Sequence, residues 1–457
     1  MKKFINGQGA SRIVERMGKE FVVVKNPDYV HPSHDIYPLA PRITRPLKRI
    51  DAIVMDMDGT TTTTEALCIH SLEHMVRQIT DRMSHRVWGG LEPAEDYPHI
   101  IGNSTTKHVE YLIKKYQPYI KIENLQKSYL EAVAWTLKFG RDRKRQEEVI
   151  GNLHYFGLKS LLEDKRFRHY LSLERIESLD FIELTRYVIS EFAGAIKPRS
   201  VTDLVRFGID IYYHRYHEIL NVLLSGRGDA LSKELFGKAG IRLIEPMKGV
   251  AVFLALIKGL LGKDAEKLLP VLLDNAAEMD PDFSRKLIQF SKKHRLSQLG
   301  TAFMKKPVKT AVVTSSISFE ARVVLTEVFR ILREQISRWP LSVSKKNKIL
   351  KKFESYENYY DAVISASDSS EIRLKPHRDL YSIALHRLGI GREHFPNVIG
   401  FEDSESGTIA IRAAGIGMCI AVPFSETQHH DFSAASYVVK GALPETLLRY
   451  HLFLDVK

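Results

Sequence analysis

The stretch RIDAIVMDMDGTTTTTE (Arg49–Glu65) decides the fold of this 457-residue chain. Its run Ala52–Met55 is short, continuous and apolar, and acids and a glycine follow it at once. A central parallel strand with both faces covered has this pattern. Asp56 and Asp58, one residue apart at the end of such a strand, can aim at a common point, and Gly59 permits a sharp turn. The alternative is a solvated acidic strand end.

Four further apolar runs show the strand pattern and alternate with helical patterns. They are KTAVVTSS (Lys309–Ser316), YYDAVISA (Tyr359–Ala366), NVIGFEDS (Asn397–Ser404) and MCIAVP (Met418–Pro423). Strands that alternate with helices predict an α/β fold with a doubly wound parallel sheet. Residues 67–242 instead carry apolar residues at helical spacing with few strand signals, which predicts an inserted all-helical domain.

The remaining boundaries follow from changes in composition. The first 50 residues are polar and basic and contain several prolines, and we expect an extension that packs on the main body and includes a strand at EFVVVK (Glu20–Lys25). The predicted regions are the N-terminal extension 1–50, the core 51–66 and 243–457 with helical inserts at about 262–306 and 327–355, and the helical domain 67–242.

In an open parallel sheet, ligands bind outside the carboxyl ends of the strands, and polar clusters occur at several such places here. In the first cluster, one carboxylate of Asp56 and Asp58 can attack phosphorus while the other handles the proton of the leaving group. In the second, Thr314 and Ser315 follow a strand, where hydroxyl and backbone N–H groups bind phosphate oxygens. Such residues also commonly cap helices, and this alternative remains open.

The third and fourth clusters contain a lysine and a second pair of acids. Lys375 lies in RLKPHRDLY (Arg373–Tyr381), directly before a proline, in a loop or at a helix start, where it can neutralise phosphate charge. Glu402 and Asp403 follow a strand in GFEDSESG (Gly400–Gly407) and offer oxygen ligands suited to Mg²⁺. The alternatives are a solvated surface lysine and a helix cap.

Taken in this order, the four clusters resemble the haloacid dehalogenase-like superfamily, and within it the β-phosphoglucomutase-like subgroup. The strings that carry the resemblance are DMDGT, VVTSS, KPHRDLY and FEDSESGTIAIRAAGIG. They cover about residues 50–66 and 307–445. The resemblance implies a Rossmann-like core with a helical cap domain inserted after the first strand.

The resemblance also implies roles for the core residues. Asp56 would be the nucleophile and would form an aspartyl-phosphate. Asp58 would be the general acid for the leaving group and then the general base for water. Thr314, Ser315 and Lys375 would hold the oxygens of the transferred phosphoryl group.

A magnesium ion is the implied cofactor. Its ligands would be Asp56, the backbone carbonyl of Asp58 and Asp403, with Glu402 bound directly or through water. An anionic carboxylate that attacks an anionic phosphate needs concentrated positive charge, and Mg²⁺ together with Lys375 would supply it.

The sequence departs from the family pattern in two places. The residue after DGT is usually apolar, but here it is Thr61, and we expect the polar run Thr60–Thr64 to alter how the first strand leads into the cap. The segment between the first two strands is also much longer than in relatives. Within it, HIIGNSTTKHVEYL is similar to the cap loop that contacts substrate, although a helix-capping loop is the alternative. The candidate substrate residues are Gly102, Asn103, Ser104, Thr105, Thr106 and Lys107.

Other features of the sequence bear on partners and location. The net charge of +12 attracts anions, but the densest basic run, Lys138–Glu148, also contains acids and is typical of a solvated helix face rather than a nucleic-acid patch. His214 and His217 are three residues apart and could share a metal, but no third ligand is evident. We see no membrane span and no secretory signal, and we expect a cytoplasmic protein.

The function predicted from these observations is a magnesium-dependent phosphatase that hydrolyses a phosphorylated small molecule. A phosphomutase is the main alternative among enzymes. The alternative from another class is a protein whose helical inserts bind a macromolecular partner and whose phosphatase activity is incidental.

Overall fold

A computed structural model describes residues 5–26, 30–82, 86–101, 105–236, 238, 240–280, 282, 294–370, 373–449 and 453–455. The chain divides into two compact units, which we call the core unit (Met1–Thr64 and Ile244–Lys457) and the helical unit (Glu65–Leu243). Within the described ranges, no helix is long and apolar enough to cross a membrane.

The core unit is built on a six-stranded parallel sheet in the order β10-β9-β8-β3-β6-β7, which confirms the predicted doubly wound α/β fold. Two small antiparallel pairs, β1-β2 and β4-β5, accompany it. The strands are β1 (Phe21–Lys25), β2 (His34–Pro38), β3 (Ala52–Asp56), β4 (Thr62–Thr63), β5 (Glu245–Pro246), β6 (Lys309–Val313), β7 (Ala362–Ile364), β8 (Val398–Glu402), β9 (Met418–Ala421) and β10 (Tyr437–Val438).

The helical unit follows β4 and, in its described residues, contains helices and no strand. An all-helical insertion after the first strand of the parallel sheet is therefore present, as the fold prediction stated. Its helices are Glu65–Thr80, Tyr97–Ile100, Thr105–Tyr116, Ile122–Phe139, Arg143–Tyr155, Lys159–Glu163, Lys165–Ser172, Ser178–Phe192, Val201–Leu224 and Gly228–Phe236, with short 3₁₀ segments at Gln117–Tyr119 and Ala193–Ala195.

Helices cover both faces of the sheet in the core unit. On one face, Ala52 and Val54 pack in a buried cluster with Leu380 and Ile411. On the other face, the ring of Phe253 lies 5.0 Å from that of Phe401. The α-helices of this unit are Gly7–Met17, Val250–Ile257, Leu269–Met279, His294–Lys305, Ser318–Ser337, Val343–Lys352, Tyr356–Tyr359, Asp379–Arg387, Glu405–Ala413 and Ala442–Leu448, and 3₁₀ segments lie at Gly262–Leu268, Ala366–Asp368 and Arg392–Asn397.

The register of the sheet brings the ends of the central strands together. Strand β3 is buried at every residue, and it pairs with β6 so that Asp56 is level with Val313. On its other side it pairs with β8, where Met55 is level with Phe401. The residues that follow these three strands therefore lie at one edge of the sheet, the edge where parallel α/β sheets bind ligands.

Candidate active site

The turn after β3 is tight and fixes the positions of both acids in DMDGT. Asp56 is the last residue of the strand, and the N–H of Met57 still donates to the carbonyl of Val313 at 3.1 Å. Gly59 then adopts a φ of +83°, and its N–H donates to the carbonyl of Thr62 at 2.7 Å. A left-handed conformation of this kind favours glycine, which explains its place in the motif.

Hydroxyl groups surround the carboxylate of Asp58. Thr64 donates to its Oδ1 at 2.8 Å, and Thr314 and Ser316 donate to its Oδ2 at 3.0 and 3.4 Å. Burial raises the pKa of Asp58 above its ordinary value, although the hydrogen bonds from Thr64 and Thr314 act in the opposite direction. A carboxyl group with a raised pKa is suited to carry a proton and release it.

Lys375 connects the acids of β3 and β8. Its ammonium group forms short ion pairs with Oδ1 of Asp56 and, at 2.7 Å, with Oε1 of Glu402. Burial disfavours the charged form of Lys375, but the two carboxylates more than offset this, and the net effect raises its pKa. The lysine is therefore a buried, permanent positive charge and not a solvated surface group.

Glu402 is held by several protein donors. Besides Lys375, the hydroxyl of Tyr381 donates to Oε1 at 3.1 Å. Its Oε2 accepts from the N–H groups of Asp403 and Ser404, both at 3.0 Å, and from the Ser404 hydroxyl at 2.9 Å. Protein donors therefore engage both oxygens of Glu402 and fix the orientation of its carboxylate.

Asp403 lies against the glycine turn. Thr60 donates to its Oδ1 at 3.3 Å. A Cβ atom added to Gly59 would overlap the carboxylate of Asp403, so the absence of a side chain at Gly59 is what permits this approach. The turn after β3 and the acid after β8 are thus fitted to one another.

The three acids can share a cation. Asp56, Glu402 and Asp403 are buried and can each present a carboxylate oxygen within 4.8 Å of the others. Burial raises the pKa of Asp56 well above its ordinary value; Lys375 opposes this and Glu402 adds to it. Lys375 balances only one of these three charges, so a divalent cation fits the donor set by charge and by its oxygen chemistry. The backbone carbonyl of Asp58 remains a predicted ligand.

The predicted phosphate-binding residues differ in their placement. Thr314 is buried, with its N–H bonded to the carbonyl of Ile364 at 2.9 Å and its hydroxyl directed to Asp58. Ser315 is exposed. Their contacts with phosphate, like that of Lys375, stay predictions.

Several residues that bond to the acids of the site were not among those predicted from the sequence. Thr60 and Ser404, described above, are two of them. Thr64 and Ser316 bond to Asp58, and Tyr381 bonds to Glu402. Ser316 and Tyr381 belong to the strings VVTSS and KPHRDLY, and Thr64 ends the threonine run. Their positions within these strings could have marked them as site residues. Which acid each one bonds to becomes clear only from the structure.

The candidate substrate residues belong to the helical unit. Gly102, Asn103 and Ser104 lie outside the described residues. Thr105, Thr106 and Lys107 begin the helix Thr105–Tyr116, and the hydroxyl of Tyr213 donates to that of Thr105 at 3.3 Å. Their contact with substrate stays a prediction.

The two histidines of YYHRYH take part in aromatic packing. The ring of His214 lies 5.1 Å from that of Trp135, and the ring of His217 lies 5.4 Å from that of Tyr213. Neither belongs to the acidic group that could hold a metal in the described part of the chain.

The chain is similar to known proteins in structure but not in overall sequence. No family model and no curated protein matches the sequence. The chain is similar to the structure of CbbY from Rhodobacter sphaeroides in complex with phosphate, with 13% identity, coverage of 87% of this chain and 96% of that chain, and a TM-score of 0.38.

Two further solved structures are similar to the chain. A putative beta-phosphoglucomutase from Thermotoga maritima has 15% identity, coverage of 88% and 98%, and a TM-score of 0.31. A HAD-superfamily hydrolase from Geobacter sulfurreducens has 13% identity, coverage of 89% and 100%, and a TM-score of 0.31. They belong to the superfamily that the motifs resemble. At these TM-scores the overall likeness carries no conclusion about an activity.

Proposed function

We propose that the chain is a magnesium-dependent phosphatase of the haloacid dehalogenase-like type, with Asp56 as its nucleophile. The observation that carries the proposal is the convergence of Asp56, Lys375, Glu402 and Asp403 at the carboxyl edge of one parallel sheet. Burying a carboxylate between an ammonium group and further acids costs folding free energy. Phosphoryl transfer needs this combination of a nucleophile, a positive charge and metal ligands.

The first chemical step transfers the phosphoryl group to the protein. An electron pair on a carboxylate oxygen of Asp56 attacks phosphorus, and the bond between phosphorus and the ester oxygen breaks. Asp58 donates its proton to the departing oxygen, which leaves as an alcohol. Lys375 and Thr314 hold the other phosphoryl oxygens in line for the transfer.

The second step hydrolyses the aspartyl-phosphate. Asp58, now ionised, takes a proton from water, and the resulting hydroxide attacks phosphorus and releases phosphate from Asp56. The hydrogen bond from Thr64 supports this role because it orients the Asp58 carboxyl group. The same residue thus serves both half-reactions.

Magnesium would be held by Asp56 and Asp403, with Glu402 acting directly or through water. When bound, it supplies positive charge that offsets the repulsion between the carboxylate and the phosphate. The chain contributes the fixed orientation of the ligands, since Thr60 holds Asp403 and five donors hold Glu402.

The proposed substrate is a phosphorylated small molecule, and the helical unit is the proposed source of its specificity. A phosphomutase would need the aspartyl-phosphate to persist while a bisphosphate intermediate reorients. In the partner-binding alternative, the helical inserts bind a macromolecule and the phosphatase activity is incidental.

Asp56→Asn provides the direct test, because it removes the nucleophilic charge while keeping the shape of the side chain. We expect hydrolysis of generic phosphate esters by the full chain with Mg²⁺, and a loss on the order of a thousandfold in kcat for Asp56→Asn. Asp51→Asn is the matched control, since Asp51 directly precedes the same strand at its opposite end. That variant should keep its activity.

Equal activity of Asp56→Asn and the unmodified chain would disprove the proposal. Product analysis with sugar phosphates separates the alternatives: free phosphate supports the phosphatase, and an isomeric sugar phosphate supports the phosphomutase. No turnover of a broad set of phosphorylated metabolites, together with a partner retained equally by Asp56→Asn, would favour the partner-binding role.

A further inference from the structure

A cavity of about 500 Å³ lies within the helical unit, and no residue of the candidate active site lines it. Three aromatic side chains line it: the rings of Phe139 and Phe181 lie 5.1 Å apart, and that of Trp135 lies 6.1 Å from Phe139. A cavity of this volume with aromatic walls between helices has the dimensions of a small-molecule site.

Glu131 is the unusual polar group of this cavity. It lies on the helix Ile122–Phe139, one turn before Trp135, and it is partly buried. Its carboxylate forms no hydrogen bond or ion pair with the described residues, and its charged neighbour is another acid, Glu218. Burial raises the pKa of Glu131, and Glu218 raises it further. A partly buried carboxylate without a counter-charge is costly, and a ligand can remove that cost.

The other charged groups of the cavity do not neutralise Glu131. Arg215 lines the cavity, but it is paired with Glu218 at 2.6 Å. Burial and the charge of Arg215 lower the pKa values of His74 and His214 to about 3, so both imidazoles are neutral near pH 7. The cavity wall therefore has an excess of negative charge.

We propose that this cavity binds an organic cation, with its ammonium group paired to Glu131 and its apolar body packed against Trp135, Phe139 and Phe181. A cation next to a carboxylate and aromatic faces gains from ion pairing and from cation–π attraction together. A neutral ligand of the same shape would leave Glu131 without a partner, and an anion would be repelled. The proposal concerns binding and does not depend on the proposed phosphatase activity.

The test compares two probes of nearly equal shape on the full chain. Isothermal titration calorimetry would measure binding of 2-phenylethylamine, a cation at pH 7, and of 2-phenylethanol, its neutral counterpart. We expect the amine to bind at least about tenfold more tightly. Glu131→Gln, which keeps the shape but removes the charge, should abolish that preference.

Glu123→Gln is the control, because it makes the same change in the first turn of the same helix, where Glu123 is exposed and does not line the cavity. It should keep the preference for the amine. The proposal is overturned if the unmodified chain binds neither probe, binds both equally, or keeps its preference in Glu131→Gln. The comparison of probes on the unmodified chain stands even if a variant folds poorly.

Discussion

At the scale of the single residue, Gly59 has two separate requirements. Its φ of +83° disfavours any side chain, and a Cβ atom would also overlap the carboxylate of Asp403. Gly226 has a φ of +73° but nothing within 4 Å of an added Cβ atom. Substituting each of these two glycines in turn therefore separates the free-energy cost of backbone strain from that of the contact with Asp403.

We predict that Gly59→Ala abolishes magnesium-dependent phosphatase activity, because Asp403 must move to make room. Gly226→Ala should lower the free energy of unfolding by about 1–2 kcal/mol through backbone strain alone, without loss of activity. Urea unfolding and steady-state assays measure both effects. Normal activity and magnesium dependence in Gly59→Ala would show that Asp403 does not need its present position.

Lys375 is a buried counter-charge, and its removal leaves buried carboxylates without that positive partner. Lys375→Met should lower the free energy of unfolding in EDTA by about 3 kcal/mol, because Asp56 and Glu402 lose their counter-charge. It should also lower kcat/KM on the order of a hundredfold. Lys306 offers the control, because it is half exposed and its partner Asp51 keeps Arg49 as a second counter-charge; Lys306→Met should cost less than about 1 kcal/mol. Equal effects of the two substitutions would contradict the buried-charge argument.

At the scale of elements, the N-terminal hairpin of β1 and β2 supports the loop that carries the lysine. The hydroxyl of Tyr37, in β2, lies 2.7 Å from Nδ1 of His377. Arg373 donates to the same hydroxyl at 2.8 Å and forms a two-bond ion pair with Asp379, with both N···O distances at 2.9 Å. The hairpin and the loop around Lys375 are therefore joined through one phenol group.

We predict that Tyr37→Phe loosens this loop while keeping the packing of the ring. The free energy of unfolding should fall by about 1 kcal/mol, and kcat/KM should fall about fivefold, its equivalent in rate. Tyr437→Phe is the control, since the Tyr437 hydroxyl has no hydrogen bond to the described residues. If both variants keep full kcat/KM, the hairpin has no role in positioning Lys375.

Five of the six strands of the parallel sheet could be predicted from sequence because each is a short apolar run. The edge strand β10 has only two residues and was missed. The ends of the strands could not be predicted: Lys309–Ser316 is a strand only to Val313, because Thr314 and Ser316 turn toward Asp58. The strand His34–Pro38 was missed because its sequence, HDIYP, has no clear alternation of apolar and polar residues. It forms a strand through its pairing with Phe21–Lys25, which the sequence alone does not reveal.

The threonine run shows the same limit within the site. The sequence marked Thr61 as a departure from the family pattern, but it did not reveal partners for the run. In the structure Thr60, Thr61, Thr62 and Thr64 each donate a hydroxyl to a different acceptor, and Thr61 bonds to the carbonyl of Asp56 at 2.7 Å. Polar residues in a buried turn are satisfied by neighbours that only the fold supplies.

At the scale of the whole molecule, the candidate site depends on four segments that are far apart in the chain. We predict that Mg²⁺ with beryllium fluoride, a mimic of the aspartyl-phosphate, slows amide hydrogen exchange in all four by about tenfold or more. Exchange measured by mass spectrometry should show this in peptides covering 52–64, 309–316, 373–381 and 398–408. Asp56→Asn should remove the effect, and protection limited to one segment would contradict a shared site.

If a phosphoryl group passes through Asp56, the aspartyl-phosphate can be trapped chemically. The full chain would be mixed briefly with a phosphate ester and Mg²⁺, quenched in acid, reduced with borohydride and mapped by peptide mass spectrometry. We predict that Asp56 is converted to homoserine and that the conversion requires both substrate and Mg²⁺. Two results would contradict this prediction. One is turnover of the ester with the reduced residue at a position other than Asp56. The other is turnover without any homoserine, together with full activity in Asp56→Asn.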